Sequence, residues 1–130
     1  MIVIDASALL EVLLQTPVGL QIESRVFSTQ ETLHAPHLLD LEIVQVLRRY
    51  AASGDLGQER AQQALTDLSD LPLTRYPHDI FLPRIWELRF SVTAYDAAYL
   101  ALAEGLSAPL VTRDRRLAAS TGHQGNIEIF

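Results

Sequence analysis

The chain has 130 residues, 48% of them hydrophobic, enough for one core of ordinary size and too little for two. Its formal charge of −6 excludes a module that holds nucleic acid by bulk positive field, and the lack of cysteine excludes disulfides, thiolate metal sites and a thiol nucleophile. No apolar run reaches membrane-spanning length and the opening one is too short for a signal segment, so the expectation is one soluble, cytoplasmic domain over residues 1–130 with no membrane contact.

Met1-Ile2-Val3-Ile4 is a short apolar run that stops on Asp5, the pattern of a buried parallel strand delivering a carboxylate to its carboxyl end. Ser7 then suits the N-cap of a helix to about Leu14, and Thr16-Pro17 starts a second helix to about Ser28, with Leu20, Val26 and Phe27 inward. Leu33-His34-Ala35, ending at Pro36, reads as a second strand. From His37 to about Ala52 the pattern is helical with little polar face, which predicts a largely buried helix. Gly54 and Gly57 interrupt the chain before an amphipathic helix over 58–69, with Ala61, Ala64, Leu65 and Leu68 inward. Residues 71–76 alternate weakly and carry Pro72, as an edge strand can.

Pro77 to Phe90 reads as a further helix whose early boundary Pro83 disturbs. Thr93 caps a helix to Glu104, with Gly105 as its stop. Pro109 to Thr112 is a buried strand running into Arg113-Asp114, a short helix follows to about Ala119, and residues 126–130 form the last strand. Strands alternating with helices predict an α/β fold with a parallel sheet covered by helices on both faces.

Asp5 and Asp114 both stand at strand ends, so adjacent strands would bring them to one edge, although a helix cap accounts for either alone. Glu42 lies in an apolar helical setting, between Leu41 and Ile43 and one turn from Leu38 and Val46, where a glutamate needs compensation unless it faces solvent or an arginine. Asp96 sits among alanines and tyrosines in the first turn of its helix, where the helix dipole also favours an acid. All ten basic residues are arginines, so no lysine neutralises these acids. Four converging carboxylates would repel without a cation. Oxygen-only ligation favours magnesium or manganese, and such a cluster suits phosphodiester hydrolysis.

With Asp5 in Ile-Val-Ile-Asp-Ala-Ser-Ala-Leu, Glu42 in Leu-Leu-Asp-Leu-Glu-Ile, Asp96 in Thr-Ala-Tyr-Asp-Ala-Ala-Tyr-Leu and Asp114 in Pro-Leu-Val-Thr-Arg-Asp-Arg-Arg-Leu, the chain resembles a PIN domain over essentially its whole length. It is most similar to the VapC ribonuclease toxins of bacterial toxin–antitoxin pairs. The resemblance implies a five-stranded parallel sheet flanked by helices, magnesium- or manganese-dependent endoribonuclease activity, and a homodimer inhibited by a VapB-like antitoxin. It makes Asp5, Glu42, Asp96 and Asp114 the metal-binding, catalytic acids and puts Thr112 and Ser7 where hydroxyls support them. Some relatives carry a further acid where this chain has Arg116.

Arg113, Arg115 and Arg116 form the densest basic group and adjoin Asp114, as RNA contacts or as a solvated helix start. Asp40, two residues before Glu42, points elsewhere and suits a cap or the surface. Tyr95 and Tyr99 suit the core better than base stacking. Receiver domains, dehalogenase-like phosphatases and P-loop NTPases also place an acid or a phosphate loop after a first strand, but each relies on a lysine. The remaining alternative is a PIN-like module that binds RNA or protein without cutting, for which four mutually repelling acids have no use.

Overall fold

A computed structural model describes residues 1–28 and 30–130. Five strands, β1 (Ile2–Ile4), β2 (Leu33–Pro36), β3 (Leu73–Tyr76), β4 (Leu110–Thr112) and β5 (Ile127–Ile129), form one parallel sheet in the order β3-β2-β1-β4-β5. β1 is central because its three residues are apolar on both faces, and all of them are fully buried. It pairs Val3 with His34 on one side and with Leu110 on the other. The strand order reverses between β1 and β4, where open α/β sheets leave a crevice outside the carboxyl ends.

Helices α1 (Ala6–Leu13), α2 (Pro17–Phe27), α3 (Leu38–Ser53) and α4 (Gln58–Asp70) carry the chain from β1 out to β3. A single turn at Asp79–Phe81, then α5 (Leu82–Glu87) and α6 (Ala94–Leu106), bring it back across the sheet to β4, and α7 (Arg115–Ala118) leads to β5. Parallel crossovers are right-handed, so the outward and returning sets of helices cover opposite faces. α1 packs on α2, α3 and α4, whereas α6 packs on α5 and spans β1, β2 and β4. Gly19 lets α2 meet α1 closely, since a Cβ there would stand 2.0 Å from the Glu11 carbonyl oxygen. In α6 every residue from Ala97 to Ala103 is buried, and its alanines let the helix lie close to the sheet.

Several expectations are corrected. Asp5, not Ser7, caps α1, accepting the Ala8 N–H. The backbone is already helical at Ala6, so Ser7 falls inside the first turn. Leu20 and Phe27 are exposed, because α2 buries Gly19, Ile22 and Val26 as a single stripe. α3 is not largely buried. Only the Leu39-Ile43-Leu47 ridge is buried, and Leu41, 74% exposed, and Val44 face out. The segment 77–90 is no continuous helix: Pro83 occupies the start of α5, which ends at Glu87, and Ile80, Leu82, Trp86 and Phe90 are exposed. α6 runs through Gly105, whose missing side chain accommodates the Phe81 ring, and stops at Ser107 in the left-handed conformation.

Asp40 at the start of α3 is held by Arg75 of β3 through Nε and Nη2 at 2.7 and 2.9 Å, which fastens the helix to the sheet edge. Nearby, buried His34 has its Nδ1 2.8 Å from the hydroxyl of half-buried Tyr76, joining β2 to β3. Among the described residues no helix is long and apolar enough to cross a membrane.

Candidate active site

The carboxyl ends of β1 and β4 are fastened together by side chains. Asp5 leaves β1 in extended conformation and turns into α1, so its carboxylate stands at the sheet edge with 6% of the residue exposed. Oδ1 accepts the Ser7 hydroxyl at 2.7 Å and the Ala8 N–H at 3.0 Å, while Oδ2 accepts the hydroxyl of fully buried Thr112. Thr112 Oγ1 in turn accepts the Asp114 N–H at 2.9 Å, and Ser7 Oγ accepts the Arg113 N–H at 3.0 Å. Both hydroxyls thus lock Asp5 to the segment that carries Asp114. Asp114 caps α7 through Oδ1, which accepts the N–H groups of Arg116 and Leu117. Capping and membership of the acidic edge, alternatives in the sequence, are here the same geometry.

Glu42 comes to this edge from α3 and Asp96 from the first turn of α6. The Tyr99 hydroxyl donates to Glu42 Oε1 at 2.7 Å, and Tyr99 itself is buried in the core. This partner was not legible in the sequence, because it depends on α3 and α6 approaching each other across the sheet edge. Its neighbour Tyr95 is 67% exposed, contrary to the expectation of core packing, since it falls on the outer face of α6. Thr93 caps α6 by accepting the Asp96 N–H at 3.2 Å.

The four acids interact as one electrostatic group. Burial pushes the Asp5 carboxyl above its usual range, against the hydrogen bonds from Thr112, Ser7 and Ala8, and the Asp96 charge adds to the rise. Burial likewise raises Glu42, offset by Tyr99 and reinforced by Asp5 and Asp96. Asp96 is raised by burial and then by Asp114, with Arg116 pulling the other way. Burial and the Glu42 charge hold the Tyr99 phenol well above its usual range, so it remains a donor. Among the described residues, no three acidic or histidine side chains are drawn around one point tightly enough to hold an ion as they stand. Asp5, Glu42 and Asp96 feel one another's charge, and Asp114 joins them through Asp96.

The basic triplet divides. Arg116 lines a cleft of about 460 Å³ with Asp96 and Asp114. Arg113 instead donates to the Phe130 carbonyl at 3.1 Å and lies 3.6 Å from Glu11, so the fold itself takes it up. Arg115 is exposed on α7.

A model of the PIN domain matches residues 2–121 of the chain. The chain belongs to the PIN-domain family. Within it, this PIN domain is 40% identical over 129 residues to the protein named Ribonuclease VapC12 of Mycobacterium tuberculosis, covering 99% of the chain and 98% of that relative, which places it among the VapC proteins. Its fold matches the crystal structure of PAE2754 from Pyrobaculum aerophilum with a TM-score of 0.72 at 28% identity, over 99% of this chain and 83% of that one. It also matches VapBC2 from Rickettsia felis, solved bound to a DNA fragment from its promoter, with a TM-score of 0.69 at 14% identity over 99% and 98% of the two chains; that likeness shows the fold alone. The parallel five-stranded architecture implied by the resemblance in sequence is therefore the one observed.

Proposed function

We propose that this PIN domain is a single-domain endoribonuclease toxin of the cytoplasm that hydrolyses RNA phosphodiester bonds with a divalent cation. The observation that carries the reading is the acidic edge. Asp5, Glu42, Asp96 and Asp114 converge from four separate elements, three of them with raised proton affinity, and none forms an ion pair among the described residues. The names of the VapC relatives agree with it.

The donor set is oxygen alone, which fits magnesium or manganese rather than zinc or copper. Asp5, Glu42, Asp96 and Asp114 would hold the cation, which when bound supplies charge neutralisation at the phosphate and acidity to the attacking water. The chain supplies the positioning. Thr112 and Ser7 fix both oxygens of Asp5, and Tyr99 orients Glu42 by engaging one of its two oxygens. Arg116, on the cleft wall, would meet a phosphate of the RNA, and Arg115, exposed on the same helix but outside the cleft, would add a second contact. Arg113 would have to leave the Phe130 carbonyl to join them.

The partners implied by the family, a VapB-like antitoxin and a second copy of the chain, have apolar surface to use. A groove lined by Leu10, Leu38, Leu41, Val46 and Tyr95 opens beside Ser7 and Glu42, so a segment seated there would lie against the acidic edge. Leu20 and Phe27 form a separate exposed patch on α2.

The test is cleavage of a mixed RNA pool by the partner-free protein with magnesium, manganese or EDTA, alongside Asp96→Asn. Metal-dependent cutting that disappears in the variant is the expected result. Cutting that survives in the variant overturns the assignment of the site, and RNA binding without cutting in any metal favours the non-catalytic module.

A further inference from the structure

The last turn of α5 and the segment that leads to α6 present three large side chains, Trp86, Arg89 and Phe90, that the acidic edge does not require. Phe90 is 86% exposed and Trp86 67%. The guanidinium carbon of Arg89 lies 4.4 Å from the Trp86 ring centroid and 4.3 Å from that of Phe90, and Nη1 donates to the Trp86 carbonyl at 2.8 Å. Arg89 is thus fixed on aromatic faces. It differs from Arg25, Arg75, Arg84 and Arg113, each of which has a carboxylate as its partner.

The position of the group gives it meaning. Arg89 and Phe90 line the same cleft as Asp96, Asp114 and Arg116. At a charge of −6 the protein has no long-range field to gather a polyanion, so substrate must be held by local contacts. Stacking a base on an aromatic ring needs no net charge, and a guanidinium beside the ring meets the adjoining phosphate. A flat exposed ring, two guanidiniums and two of the four acids, Asp96 and Asp114, lie together along one cleft.

Resting on the ribonuclease reading of that edge, we propose that Phe90, backed by Arg89, is the stacking platform for an unpaired nucleobase next to the scissile phosphate, with Arg89 and Arg116 holding the flanking phosphates. Bases within a duplex are already stacked, so the platform selects single-stranded segments and loops. Phe90 is here a positioning residue that fixes where along the strand the acids act.

Trp86 is the single tryptophan of the chain, so its emission reports on this group alone. The experiment titrates the Asp96→Asn protein in magnesium with an unstructured oligoribonucleotide of about ten nucleotides, within the span of common single-strand sites, and with the same strand annealed to its complement. Single-stranded RNA should quench Trp86 and bind more tightly than the duplex. Adding Phe90→Ala should weaken binding about tenfold, Phe90→Leu should do the same because it lacks a π face, and Phe90→Tyr should restore it. In the cleaving protein, Phe90→Ala should raise KM with little change in kcat. Phe90 is exposed, so equal melting temperatures should confirm that the variants are folded.

Unchanged affinity in both Phe90→Ala and Phe90→Leu, or equal binding of single strand and duplex, overturns the platform. Loss of a dimer in sedimentation with RNA affinity unchanged also overturns it and assigns the patch to a second copy of the chain. A protein that cuts RNA with wild-type KM in the Phe90 variants keeps the ribonuclease reading and loses the platform. One that cuts nothing yet binds RNA through Phe90 does the reverse.

Discussion

Carboxylates in this chain are treated in two opposite ways. Away from the cleft three of them are given arginines: Arg25 reaches Glu128 at 2.8 Å, Arg75 reaches Asp40 at 2.7 Å and Arg84 reaches Glu104 at 2.8 Å, each through a two-pronged contact. At the ends of β1 and β4 the partners of Asp5, Glu42 and Asp114 are hydroxyls and backbone amides. The consequence is opposite in sign. Arg84 holds the Glu104 carboxyl below its usual range, whereas burial holds Asp5, Glu42 and Asp96 above theirs. Arginine is not scarce near the edge, since Arg49 flanks Glu42 in its groove and Arg116 lines the cleft of Asp96. The difference teaches that the edge holds unneutralised negative charge beside guanidiniums that do not pair with it, which is the arrangement a mobile cation needs.

The comparison breaks most visibly in activity. Asp96→Asn should lower RNA cleavage by more than about 100-fold, the upper end of what losing a group that only supports a metal ligand costs. The same change should stabilise the metal-free protein by on the order of 1 kcal/mol, because it removes a half-buried repelling charge. Parallel turnover and melting assays check both halves, and a variant that is inactive because it is unfolded would undo the argument.

Next in size is Tyr99→Phe, which takes from Glu42 its hydroxyl donor and should cost about 10-fold in cleavage while the fold survives. If turnover is unchanged, the Tyr99–Glu42 bond is merely structural. Magnesium at about 100 times its dissociation constant should stabilise the wild type by about 2.7 kcal/mol, a shift of several degrees in melting temperature. Asp5→Asn/Asp96→Asn should abolish that shift. An equal shift in the double variant would place the cation elsewhere.

At the paired acids the same operation should have the other sign. Arg84→Ala should destabilise by about 1 kcal/mol, a figure kept small because the guanidinium is partly solvated, and should leave the magnesium shift intact. The smallest effect is in pH. Asp5, Glu42 and Asp96 bind protons more tightly folded than unfolded, so acidification from neutrality towards their ordinary values of 3.8 and 4.5 favours the folded state. The metal-free stability advantage of Asp5→Asn/Asp96→Asn over wild type should therefore be greatest near neutrality and shrink as pH falls. An advantage that grows on acidification would contradict the raised proton affinities.

How much of this was legible in the sequence depended on whether a feature is local. β1 and β4 announce themselves as short apolar runs ending at or near an acid, and Thr93 announces the start of α6. The burial of α3 was misread because apolar residues surround the helix and nothing local says which stripe meets the sheet. The segment before α6 was misread for a related reason: its apolar residues divide, Phe81, Ile85 and Leu88 packing on the core while Ile80 and Trp86 face out. Of the site, the four acids could be picked out one by one, whereas the bonds that orient them, Thr112 to Asp5 and Tyr99 to Glu42, join residues 107 and 57 positions apart. No local pattern carries such a meeting.

That long separation has a consequence in time. Asp5 is made long before its partners, for its N–H bonds the Val111 carbonyl and its carboxylate is held by Thr112. At the usual pace of synthesis, Asp5 waits on the order of ten seconds for those partners to be made. Until β4 emerges, the central strand lacks one neighbour and the acidic edge lacks Asp114. In a growing chain the edge therefore stays incomplete until β4 pairs with β1 and Asp114 joins the other three acids.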